Sequence, residues 1–178
     1  MLTAMDRGLS LSHGRPPGIS ENATLGQDTF IAELEDGGDV SFPSTPQIQS
    51  WIYQLSQIQN RFCNAITSST FTASKLDSIS RIDEALILWR DNLPLTCRPD
   101  HPILVDSSKH LLVLFLHLEY FNLLRSVHWA ALSLQPCLAG SINNPTSRIR
   151  GSEILCVDAA RSFIRALNRY VSSTYFAP

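Results

Sequence analysis

Along residues 46–171, apolar side chains return every three or four positions, the mark of helices that bury one face. Ile48, Trp51, Ile52, Leu55, Ile58, Phe62, Ala65 and Ile66 fall on one such stripe. At its head, Thr45 is placed to cap and Pro46 takes the first helical position, where its missing N–H forfeits nothing. The polar tract Thr67 to Thr72, interrupted by Phe71, closes it. A second helix is predicted from about Ser74, which with Asp77 has the spacing of a capping box. Leu76, Ile79, Ile82, Leu86 and Trp89 form its inner face. Pro94 stops it, because the residue before a proline is pushed out of helical geometry.

After the proline-bearing link "CRPDHPI", a third helix is expected from Ser107 to Leu134, ending before Pro136. Its middle, "LLVLFLHLEYFNLL", is apolar nearly all round, so other elements must cover it on several sides. Three modestly striped neighbours would cover it thinly, which predicts exposed apolar surface and a tendency to associate. A fourth helix follows from about Arg148 to Val171, with Leu155, Ala159, Phe163, Ala166, Leu167 and Tyr170 on its stripe. No segment alternates with period two, and no internal repeat is evident. The fold class is therefore all-α with four main helices. Residues 1–46 read as an irregular segment: Gly14, Pro16, Pro17 and Gly18 forbid a helix there, and Glu35-Asp36-Gly37-Gly38-Asp39 is an acidic turn. Residues 47–178 form the helical region.

Composition narrows the classes. With 44% hydrophobic and 17% charged residues in 178, the chain is globular and can bury a sizeable core. A net charge of −2 offers no general attraction to nucleic acid or acidic lipid. The longest apolar run, Leu111 to Leu116, is far short of the ~20 residues that span a bilayer, so no membrane role is expected. Cys63, Cys97, Cys137 and Cys156 form no C-x-x-C pair and are expected as free thiols.

Candidate chemistry is sparse. His110 and His117 share a face of the third helix but are seven apart, whereas a helical metal pair needs i, i+4 spacing or a third ligand. No metal site is expected. No nucleophile elbow, phosphate-cradling glycine loop or Cys–His spacing is present, so no catalytic residue is assigned and the chain is not expected to be an enzyme. Arg161, Arg165 and Arg169 stand four apart on the last helix. Without interleaved aromatics they read as a solvated face rather than a DNA surface. In the corner Gly14-Arg15-Pro16-Pro17, the guanidinium of Arg15 offers five donors in a stiffened turn. It reads as an internal strut, with an effector-binding group as the alternative. Phe115, Tyr120, Phe121 and Trp129 are candidates for lining an apolar groove, with plain core packing as the alternative.

Four blocks in order carry a resemblance. "MDRGLSLSHGRPPGI" over 5–19 is similar to a helix-end corner of the form lDr.lS..lGRP.ai. Leu86 to Pro94 matches L..W...LP through Trp89 and Pro94. "LFLHLEYFNLLRSVHW" is similar to l.l.Yh...llhrp.l, with Tyr120, Leu123, Leu124 and Arg125 in place. Cys156 to Ile164 matches C..AAr.i. Together they resemble the fungal-specific transcription factor domain, the middle homology region of fungal binuclear zinc-cluster transcription factors. One departure is Ser126-Val127 where that pattern has a proline, which lets the long helix run further. The resemblance implies an all-α regulatory region acting in the nucleus on DNA-templated transcription. It implies partners among other parts of such a factor or its co-regulators, and a small-molecule effector in some cases. The family's zinc cluster, basic linker and preceding helices lie upstream of its corner. This chain is therefore read as the downstream half of a larger domain, with no cofactor of its own; zinc and DNA contact belong to that upstream module. The alternative from another class is a small helical ligand-binding or scaffold protein without a transcriptional role.

Overall fold

Five helices follow one another in a computed structural model that describes residues 42–68, 71–134 and 147–175. They are α1 (Thr45–Thr67), α2 (Thr72–Asp91), α3 (Ser107–Leu134), the single turn α4 (Ser147–Arg150) and α5 (Ser152–Tyr175). No strand occurs among the described residues, and the architecture is all-α. The Gly14-Arg15-Pro16-Pro17 corner, with the rest of residues 1–41, and Cys137 lie outside the described residues.

Helix starts differ from the sequence reading for identifiable reasons. The cap of α1 is Ser44, whose hydroxyl accepts from the Gln47 backbone N–H at 3.4 Å; Thr45 and Pro46 are already helical. α2 begins two residues before Ser74, and the cap position is Phe71, with no side-chain cap bond. The capping box does not form because Ser74 is already inside the first turn, three residues past the cap position, and Asp77 pairs with Arg81 at 3.0 Å. Lys75 instead reaches back to the Ile66 carbonyl near the end of α1 at 3.1 Å, tying the two helices at their junction. The fourth expected helix is broken at Gly151 into α4 and α5, where Ser152 turns inward.

α3 is the centre of the fold. It packs most extensively on α5 and also on α1 and α2, which pack on each other. The stripes predicted for α1 and α2 supply Ile48, Ile52, Leu55, Phe62, Ile79 and Leu86 to the core, where they meet Val113, Leu116, Leu123 and Val127 of α3. Each such aliphatic side chain gains about 1.5–3 kcal/mol by leaving water. α5 contributes less: Ala159 is buried, while Phe163 and Ala166 pack only partly against the core. Its outward residues Ile154, Val157 and Ile164 are exposed. On α3 the large apolar side chains left exposed are Leu111 and Trp129, near its two ends. The expected thin cover along its middle is thus corrected, because α1, α2 and α5 surround it. With no proline after Arg125, α3 runs on to Leu134 and buries Val127 and Ala131.

Candidate functional site

The link between α2 and α3 is held at both ends. Arg98 lies over the C-terminus of α2, where helix carbonyls lack intrahelical partners. Its Nη2 donates to the carbonyls of Asp91 at 2.7 Å and Leu93 at 2.9 Å, and its Nε to Leu93 at 3.2 Å. The Leu104 N–H bonds the Thr96 carbonyl at 3.0 Å and closes the link on itself. From α3, His117 Nε2 donates to the Cys97 carbonyl at 2.9 Å, which fixes the tautomer because a carbonyl only accepts. Burial pushes the imidazole pKa below its ordinary value, against the opposing pull of the Cys97 carbonyl, so the ring is held neutral. Between these anchors Asp100 takes a left-handed backbone, φ 75°, a region that aspartate enters more readily than most residues.

The anchored link forms one wall of a cleft of about 280 Å³. Asp100, His101, Pro102 and Ile103 line that side. α3 supplies His110, His117 and Phe121, and α5 supplies Ser162, Arg165, Ala166, Arg169 and Tyr170. The His110 and Tyr170 rings lie 6.0 Å apart at a tilt of 38°. The arginine stripe therefore divides: Arg161 pairs with Asp158 at 3.5 Å in solvent, whereas Arg165 and Arg169 border the cleft.

A second polar cluster has three of its four side chains buried, with Arg148 partly exposed. Asp83 of α2, 2% exposed, accepts from Arg148 of α4 through both carboxylate oxygens, at 2.7 Å from Nε and 3.0 Å from Nη2. Its Oδ1 also lies 3.3 Å from Nε2 of His128 on α3, near enough for electrostatic attraction but off-line for a hydrogen bond. His128 Nδ1 is 3.0 Å from the hydroxyl of Ser152, the first residue of α5. Burial alone would raise the Asp83 carboxyl, but the adjoining imidazole and guanidinium outweigh it and hold the group down at about 2. An Asp–His–Ser order has the side chains of a hydrolytic triad. Here His128 and Ser152 are 0% exposed and the acid is committed to a guanidinium. The cluster joins four helices; no substrate can reach it.

Other predicted residues fall as follows. Trp89 and Tyr120 stack in the core, centroids 5.8 Å apart, and Tyr120 meets Phe121 edge-on at 5.4 Å. Burial pushes the Tyr120 phenol up to about 12, while the buried Trp89 Nε1 finds no hydrogen-bond partner among the described residues. Pro94 is exposed in the link, and its carbonyl accepts from the Cys97 N–H at 2.9 Å. Arg125 is half-buried and donates to Asn122 on its own helix at 3.1 Å. Of the four groove candidates, Phe121 lines the cleft, Tyr120 is core, Phe115 packs partly against the core and Trp129 is 61% exposed. Cys63, Cys97 and Cys156 form no disulfide among the described residues, and burial raises the Cys97 thiol pKa, which disfavours the reactive thiolate.

Sequence reasoning missed Asp83, Arg98 and Arg148 as structural groups. Asp83 did leave a signal, since it stands four after Ile79 and three before Leu86, an acid set within an apolar stripe. Among the described residues no group of three metal-ligating side chains is gathered, and no helix is long and apolar enough to cross a membrane.

The chain is similar to a segment of two fungal proteins, each named "ABC-transporter-regulating transcription factor". It is 30% identical to the one from Aspergillus fumigatus and 29% identical to the one from Aspergillus oryzae, each over 191 aligned positions. Both alignments take in 97% of this chain, which spans about a fifth (21%) of either relative. No protein-family model matches the chain, and no solved structure matches it.

Proposed function

We propose that this chain is a non-enzymatic regulatory region of a fungal transcription factor of the zinc-cluster type, acting in the nucleus. The observation that carries the reading is the similarity to transcription factors over 97% of the chain. The helical fold with its central α3 supports it, as do the four sequence blocks that resemble the middle homology region. In this reading the helices modulate transcription by packing against other parts of the factor or a co-regulator. Zinc binding and DNA contact belong to a separate cysteine-rich module. The relatives' name extends the reading to genes encoding ABC transporters as targets.

Deleting the gene in its host and measuring ABC-transporter transcripts tests this. A change of several-fold in at least one such transcript, restored by the intact gene, is expected. Transcript levels unaltered by the deletion, with and without exposure to a transported toxic compound, overturn the target assignment. A reporter unmoved when the chain is tethered to a heterologous DNA-binding domain overturns the regulatory reading itself. The cleft favours a second reading, a ligand-binding helical protein without a transcriptional role. A null result in both assays, with saturable ligand binding by the chain, would select it.

A further inference from the structure

We propose that the cleft between the α2–α3 link, α3 and α5 binds a small ring-bearing organic monocarboxylate. Two features of its lining point to an anion. Arg165 and Arg169, one helical turn apart on α5, both border the cleft and have no carboxylate partner among the described residues. Asp100 is the single acid in the lining, so the two guanidinium groups leave an excess of positive charge. His117 adds none, because burial holds its ring neutral against the opposing pull of the Cys97 carbonyl. A guanidinium binds a carboxylate through two parallel N–H···O bonds, which is geometry as well as charge.

The rest of the lining points to an apolar body. Phe121, Ile103 and Ala166 offer an aromatic ring and aliphatic surface beside the cations. A bare inorganic ion would leave that surface uncovered. The volume of about 280 Å³ falls just below the range of about 300 to 1,000 Å³ that drug-sized ligands occupy, so the occupant is smaller than a drug-sized molecule. One or two fused rings bearing a single carboxylate meet all three conditions. The inference rests on the cleft alone and does not depend on the transcriptional reading.

The test is calorimetric titration of the 178-residue chain with 1-naphthoate, 1-naphthamide and inorganic phosphate. Saturable, stoichiometric binding of naphthoate is expected, with naphthamide and phosphate each at least tenfold weaker. The pair Arg165→Gln and Arg169→Gln should weaken naphthoate at least tenfold, while Arg161→Gln on the same helix leaves it unchanged. Both cleft arginines are exposed, so helicity and melting should be preserved, and circular dichroism checks this. Ala166→Trp, which fills the cleft without touching charge, should also abolish binding. No saturation with naphthoate, or binding that survives the arginine pair, overturns the proposal. Naphthamide binding as tightly as naphthoate overturns the role of the acid, and phosphate binding as tightly overturns the role of the ring.

Discussion

Replacing Asp83 by asparagine keeps the size of the side chain and removes its charge from the point where α2, α3 and α4 meet. A carboxyl held near 2 rather than at its usual 3.8 contributes about 2 kcal/mol to folding at neutral pH, at 1.36 kcal/mol for each pH unit. Removing one partner of a wholly buried pair costs about 3–5 kcal/mol, but Arg148 is 40% exposed and can turn to water, which favours the smaller figure. Urea unfolding of Asp83→Asn should therefore show a loss of about 2 kcal/mol with an unchanged m value, and a melting point lower by about 4–8 °C. Wild type supplies its own control. Because the folded pKa is lowered, the unfolded chain takes up the proton first. The contribution is full above the unfolded carboxyl's range and drains away as pH falls from about 4 towards 2. In the asparagine variant that part of the acid profile should be missing. Asp77→Asn, which breaks an exposed pair with Arg81, should change stability by less than about 0.5 kcal/mol. An Asp83→Asn protein as stable as wild type, with the same acid limb, would refute the assignment of Asp83 as the polar hub.

Glu119, accepting from the side-chain amide of buried Gln59 at 3.3 Å, has its pKa raised by burial, so its charged form weakens the fold at neutral pH. Glu119→Gln should be neutral or stabilising by up to about 1 kcal/mol in urea; a clear loss contradicts this. His117→Phe removes the bond to Cys97 and should cost about 1–3 kcal/mol. Since burial lowers the His117 pKa, wild type should lose stability as pH falls below 6.5, where the unfolded imidazole protonates first; the phenylalanine variant should lack that slope. Arg98→Ala strips three hydrogen bonds from the end of α2. Amide exchange in the link should then speed up well before exchange in α1, and equal protection in both proteins would count against the clamp.

What could be read from the sequence was what periodicity reports. The stripes of α1 and α2 and the limits of α3 follow from the spacing of apolar residues, because burial of one face dictates that spacing. What escaped was pairwise. Nothing near Asp83 names Arg148, 65 positions away, as its partner, and local spacing cannot supply such a pairing. The capping box at Ser74 failed because α2 begins at Thr72, which puts Ser74 inside the helix rather than at its cap. The break at Gly151 went unread, and beside it Ser152 meets His128, another distant contact. For the cleft, sequence singled out Phe121 and the arginine stripe separately. Only the packing of α5 on α3 brings Phe121, Arg165 and Arg169 to one concavity.

The distance between Asp83 and Arg148 along the chain also bears on kinetics. Contacts between α1 and α2 and between α2 and α3 join consecutive elements, whereas this bond forms only once α3 and the segment after it have been gathered in, against the entropy of closing a loop of 65 positions. A bond of that kind is absent from an early nucleus, so its loss leaves the refolding rate nearly untouched and appears as faster unfolding. In a chevron plot the asparagine variant should shift the high-denaturant limb upward and leave the other in place. The hub then governs how long the assembled molecule lasts rather than how quickly it is made.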